Sequence, residues 1–148
     1  MPACTFFGHR NCPETIRHKL REVLIDLITS HGVYMFCMGH QERFDAHVHS
    51  ELKKLKQEYP QINYAIVLAY MPGKKTEYDD YSDTMLPEEI ESIHPHYAIS
   101  WRNNWMLKQS DYVVTYTTHT WGGAYQYTTK AKRQGKKVIN IGKTFVRL

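Results

Sequence analysis

An α/β fold built on a parallel, doubly wound sheet is what this sequence predicts, and three observations carry that reading. Short apolar runs alternate with longer stretches whose apolar residues recur every three or four positions, the pattern of β-α-β units. The run 64–70 is almost wholly apolar, as expected of a strand covered by helices on both faces. The length of 148 residues suits one domain with one core, and neither an internal repeat nor a second-domain boundary is visible.

The first strand spans residues 4–7 and runs into Gly8-His9-Arg10-Asn11-Cys12, with Pro13 suited to a first helical position. The first helix then places Ile16, Leu20, Val23, Leu24, Leu27 and Ile28 on one face, and Gly32 stops it as a left-handed C-terminal residue. A second strand, 33–38, closes at Gly39. The second helix covers about 44–59, with Phe44, Val48, Leu52, Leu55 and Tyr59 inward, and Pro60 ends it. After the third strand, 64–70, the pattern weakens. Pro72-Gly73 marks a turn, Pro87 starts a short helix favoured by Glu88 and Glu89, and a further helix carries Trp101, Trp105 and Met106 up to Ser110. The fourth strand is 112–116. Gly122-Gly123 opens a last helix that ends at Gln134-Gly135, and the fifth strand is 138–141.

Right-handed crossovers leave few topologies for five such strands, and the order 3-2-1-4-5 is expected. In that order the winding reverses between the first and fourth strands, where ligands bind outside the carboxyl ends. The loops meeting there, Gly8-His9-Arg10-Asn11 and residues 117–123, are also the richest in glycine, hydroxyl, imidazole and guanidinium groups. Each feeds a helix N-terminus, whose free N–H groups and dipole favour an anion. Gly122 and Gly123 let backbone approach a phosphate, Arg10 offers it a bidentate cation, and Thr118 and Thr120 add hydroxyl donors. Asp45, beyond the second strand, suits a ribose hydroxyl or equally a first-turn carboxylate that stabilises its own helix. His9 fits ligand contact and a loop hydrogen bond equally well. One of Tyr97, Trp101, Trp105 and Trp121 is a candidate to stack on a base, the others being packing residues.

Composition narrows the classes. No run approaches the roughly 20 apolar residues of a membrane span, and the N-terminus lacks a signal-peptide pattern, so a cytoplasmic location and no membrane partner are expected. Cys4, Cys12 and Cys37 suggest neither a disulfide framework nor a zinc site. Nine histidines do not assemble a metal set: His47 and His49 point in different directions on a helix, and His9 and His40 lack a completing carboxylate or thiolate. No metal and no cofactor are expected. Residues 76–101 hold seven acidic side chains and no Lys or Arg, leaving 19 positive against 8 negative charges on the rest. A basic body suits an anionic ligand, and the acidic stretch reads as a solvated loop, a lid or a repulsive rim.

Several blocks resemble a known group. Phe6-Phe7-Gly8-His9-Arg10 resembles the opening Phe-x-Gly-His-Arg of the SLOG superfamily, named for the SMF/DprA and LOG proteins. Arg102-Asn103-Asn104-Trp105-Met106, followed by Ser110-Asp111, resembles a block of its small YpsA/YoqJ-type branch, a family of unknown function. Gly122-Gly123-Ala124 stands where that branch has Gly-Gly-Thr, and Gly39 and Asp45 match the ends of its Gly-Met-Ala-Leu-Gly-x-Asp segment. The resemblance covers nearly the whole chain. It implies a Rossmann-like fold for nucleotide-derived ligands, with Gly8, Arg10, Gly39, Asp45, Arg102, Asn103, Gly122 and Gly123 lining the pocket. Arg43 replaces the segment's second glycine and Ala124 the threonine. LOG-type relatives cleave a base from ribose 5-phosphate with a Pro-Gly-Gly-x-Gly-Thr-x-x-Glu motif, whereas residues 121–128 here contain no carboxylate.

Three functions follow in descending order of expectation. The first is binding of a nucleotide-derived small molecule as a sensor or regulatory module. The second is N-glycoside hydrolysis or transfer on a nucleoside phosphate, with Asp45 as the acidic residue. The third is single-stranded DNA binding by the basic body. Dimers are the commonest soluble oligomers, so a homodimer is the assembly to test.

Overall fold

The computed structural model describes residues 2–40, 42–70 and 83–142. Its strands are β1 Ala3–Gly8, β2 Met35–Met38, β3 Asn63–Val67, β4 Thr84–Met85, β5 Tyr112–Tyr116 and β6 Lys137–Asn140. All pair in parallel, in the order β4-β3-β2-β1-β5-β6. The helices are α1 Arg17–His31, α2 Arg43–Glu58, α3 Ala98–Gln109 and α4 Gly123–Arg133.

The expected five-strand order recurs inside this sheet, and the correction is the sixth strand at the edge. A two-residue strand is too short to show an alternating pattern. It is made by backbone pairing: Ile66 N–H donates to Asp83 O at 2.7 Å and Leu68 N–H to Met85 O at 2.8 Å. The segment opened by Pro87 is a 3-10 turn, Glu88–Ser92, with Pro87 as its N-cap. The first helix likewise begins with a 3-10 turn, Glu14–Ile16, before α1. Pro72-Gly73 and the Glu77–Asp80 part of the acidic segment lie outside the described residues. Of the remainder, Asp83 accepts from His49 Nε2 at 2.9 Å and from the Tyr64 hydroxyl at 3.3 Å.

The pleat sorts β1 between two layers. Cys4 and Phe6 join Leu20, Leu24, Leu27, Phe44, Val48 and Leu52 of α1 and α2 on one face. Phe7 joins Val67, Met106, Leu107, Val113 and Ala131 with α3 and α4 on the other. Gly32 ends α1 at φ 66°, its N–H donating to Leu27 O, so the left-handed stop read from the sequence is present. No described helix is long and apolar enough to cross a membrane. Among the described residues no group of three or more His, Cys, Asp or Glu is placed to hold a metal ion.

Candidate functional site

With helices α1 and α2 on one face and α3 and α4 on the other, the winding reverses between β1 and β5, and two cavities open at their carboxyl ends. One, of about 380 Å³, is lined by Phe7, Gly8, Gly39, Asp45, Arg102, Asn103 and Tyr127 among others. The other, of about 640 Å³, is lined by Gly8, His9, Arg10, Thr118, His119, Trp121 and Gly122 among others. Gly8, Glu42, Gly123 and Ala124 line both, so the cavities are two lobes of one crevice. Of Gly8, His9, Arg10, Gly39, Asp45, Arg102, Asn103, Thr118, Thr120, Gly122 and Gly123, only Thr120 lines neither lobe.

The shared wall holds the start of α4. Gly122 is its N-cap at φ 92° and ψ 173°, backbone open essentially to glycine alone. No side chain caps this terminus and its first turn carries no acidic residue. The first N–H groups of such a helix lack intrahelical partners, so this terminus presents donors and a positive dipole end to the crevice. Gly123 has no positive φ, and a Cβ built on it meets nothing within 4 Å. Packing gives no reason for glycine there; the space a side chain would take is crevice.

The other glycines are explained by the protein itself. A Cβ on Gly8 would lie 2.3 Å from Phe44 Cδ2, so Gly8 lets α2 pack against the end of β1. A Cβ on Gly39 would lie 3.1 Å from the Arg102 guanidinium. Arg102 is only 2% exposed; its Nη1 donates to Val67 O at 2.8 Å and its Nε to Asn103 Oδ1 at 2.8 Å. Burial pulls its pKa below the usual arginine range, and the Asp45 carboxylate opposes that shift. Asp45 is itself buried at the third position of α2. It completes a capping box: Glu42 N–H donates to Asp45 Oδ2 at 3.4 Å while the Glu42 side chain accepts from the Asp45 backbone. Asp45 is thus the first-turn carboxylate read from the sequence, and it also lines the smaller lobe. Because that box serves the α2 terminus, its donors are not open as those of α4 are. The loop after β1 differs from expectation too. Residues 14–17 line neither lobe, so α1 presents no N-terminus to the crevice. Asn11, Cys12 and Pro13 carry the chain away before the first turn forms.

The larger lobe contains a three-ring stack. His9 and His119 have centroids 3.6 Å apart with planes at 14°, and Trp121 covers His119 at 3.7 Å and 18°. His9 is 8% exposed, and burial first, then the neighbouring His119, lowers its pKa. Trp121 is 69% exposed. Of the four aromatic candidates it alone lines either lobe: Trp101 and Trp105 pack on core clusters, and Tyr97 is exposed elsewhere. Arg10 is mostly exposed and meets Glu42 Oε2 at 3.6 Å, a loose surface pair that costs little to break.

Besides His119 of the ring stack and Glu42 of the shared wall, Asn140 and Tyr127 were missed in the sequence. Asn140, at the end of β6, accepts from Thr117 N–H at 3.1 Å and Gly142 N–H at 2.9 Å, and donates to Thr117 O at 3.0 Å and Thr117 Oγ1 at 2.7 Å. That amide clamps the start of the 117–122 loop. Tyr127, one turn into α4, stacks on Phe7 at 5.0 Å and bonds Ser100 through its hydroxyl at 3.1 Å, forming an aromatic wall of the smaller lobe. Its signal was its place four residues after Gly123; Asn140 gave none.

No protein-family model matches the chain, and no curated protein matches it. Among solved structures it is similar to DNA processing protein A (DprA) from Streptococcus pneumoniae, with a TM-score of 0.68 and 14% identity. The fold is Rossmann-like. The match covers 98% of this chain and 52% of that one, so the chain spans about half the length of its structural neighbour. DprA is one of the proteins for which the SLOG superfamily is named, so the fold found is the one that resemblance implied.

Proposed function

We propose that this chain binds a nucleotide or nucleotide-derived phosphorylated ligand in the two-lobed crevice, as a sensor or regulatory module of the YpsA/YoqJ type. The observation that carries the proposal is the uncapped start of α4, facing a crevice in which Gly123 leaves side-chain space vacant. The phosphate lies against Gly123 and Ala124, with Arg10 released from its loose pair with Glu42 to meet it. A nucleoside fills the smaller lobe between Tyr127 and the Asp45–Arg102 wall, with Asp45 accepting from a ribose hydroxyl. Burial of all three thiols fits a reducing, cytoplasmic setting.

Turnover is a second reading, because Asp45 stands on the cavity wall. It predicts base release from a nucleoside monophosphate, abolished by Asp45→Asn. The DprA likeness favours a third, single-stranded DNA. Against it, the crevice lining balances Arg10 and Arg102 with Glu42 and Asp45, whereas a strand-tracking groove is predominantly cationic. Affinity for a 20-mer that falls steeply with salt would revive it.

The test is thermal stability of the wild type and Arg10→Ala against nucleoside mono-, di- and triphosphates, ADP-ribose, NAD and cyclic dinucleotides. A ligand at 100 times its Kd adds about 2.7 kcal/mol. A stabilising ligand whose effect falls in Arg10→Ala is expected; no shift with any compound at millimolar concentration refutes the proposal.

A further inference from the structure

The smaller lobe and the α4 terminus suffice for one nucleotide, which leaves the larger lobe without an occupant. Four buried side-chain polar atoms of the described residues have no hydrogen-bond partner: His9 Nε2, His119 Nδ1, Glu42 Oε2 and Thr115 Oγ1. The two histidine atoms belong to residues lining the larger lobe, as does Glu42, whose Oε2 makes the loose 3.6 Å ion pair with Arg10 but no hydrogen bond. Buried polar groups are nearly always satisfied, and His9 is more than nine-tenths buried, so such a concentration in one cavity points to a ligand with polar edges. Beside these atoms stands Trp121, one ring face against His119 and the residue largely open. An exposed indole held by a ring stack is a platform on which a base can stack. A flat heterocycle with hydrogen-bonding edges answers both features: its ring stacks on Trp121, and its edge or sugar meets His9, His119 and Glu42.

We infer that the larger lobe is a second nucleoside subsite, so that the ligand carries two base-bearing nucleosides joined through phosphate at the α4 terminus. This rests on the nucleotide reading above and extends it. The two lobes meet only at Gly8, Glu42, Gly123 and Ala124, which places the linking phosphate against the uncapped first turn of α4. The same chemistry occurs in a free dinucleotide and in two successive residues of a single strand. The balanced charge of the lining favours the free dinucleotide.

Isothermal titration of the full chain tests this with AMP and GMP, their two-base counterparts NAD, diadenosine diphosphate and cyclic di-AMP, and the strand segments d(ApA) and d(GpG). The readout is the ratio of two-base to one-base affinity. Stacking a base on an aromatic side chain corresponds to roughly 10- to 100-fold in affinity. That ratio is expected in the wild type, and in Trp121→Ala it is expected to collapse to within about threefold. Trp121 is exposed, so the variant should fold, which its melting curve checks. A preference for the phosphate-bridged compounds names a free dinucleotide, and a preference for d(ApA) or d(GpG) names a strand; either supports the inference. If AMP or GMP binds as tightly as every two-base compound, the inference falls and the nucleotide reading stands. If the ratio survives in Trp121→Ala, the second subsite is not on Trp121 and the inference also falls. If nothing binds, both fall together.

Discussion

Replacing Gly123 by alanine separates a glycine kept for folding from one kept for a ligand. Gly123 is the first residue of α4, its φ is not positive, and an added Cβ meets no atom within 4 Å. A Gly→Ala change at a compatible position stabilises by about 0.4–1 kcal/mol, chiefly by restricting the unfolded chain. For a chain of this size 1 kcal/mol moves Tm by about 2–4 °C, so Gly123→Ala should raise Tm by roughly 1–4 °C. The same methyl stands in the crevice beside the N–H groups that would meet phosphate. Loss of one close backbone contact, about 1.4 kcal/mol, is a tenfold loss of affinity. Scanning calorimetry with and without the best nucleotide reads both effects in one experiment. Gly122→Ala is the control, because its backbone conformation costs a side chain about 1–3 kcal/mol. A Gly123→Ala protein that melts lower than wild type, or binds its nucleotide unchanged, refutes the assignment of that space to a ligand.

Three further outcomes are expected. Asn140→Ala leaves Thr117 N–H and Gly142 N–H without their acceptor; it should cost about 1–3 kcal/mol by denaturant unfolding and weaken nucleotide binding through a loosened 117–122 loop. The pKa of His9 is lower folded than unfolded, so the unfolded chain takes up its proton first and this stability is fully present only above about pH 6.5. Stability should therefore fall as pH drops below that value, and less so in His9→Gln; parallel Tm-versus-pH curves for the two proteins would contradict this. Burial pushes the Cys12 and Cys37 thiols up to about 11 and Cys4 higher still. A thiol reagent at pH 8 should therefore find almost no reactive cysteine in the native protein and three in guanidinium chloride, and rapid native labelling of any one would contradict the packing.

The alternation of apolar runs and helical stretches determined the layer architecture, because burying Phe6 on one face and Phe7 on the other follows from the period of a strand alone. The same local chemistry determined where elements stop: Gly32 at the end of α1, Pro60 beyond α2, Gly122 before α4. With right-handed crossovers added, the meeting of the loops after β1 and β5 was already legible. Contacts between segments distant in sequence were not. β4 exists only because Asp83 and Met85 offer carbonyls to β3. That Gly8 makes room for Phe44 and Gly39 for Arg102 depends on helices 36 and 63 residues further along the chain. Asn140 reads as an ordinary strand residue until β6 lies beside β5 and brings Thr117 within hydrogen-bond reach. Whether a loop's helix presents open donors was likewise settled in three dimensions, since the Glu42–Asp45 box closes the α2 terminus while α4 stays open. Period and turn chemistry are local and survive in the sequence; close approach and hydrogen-bond satisfaction are properties of the packed chain.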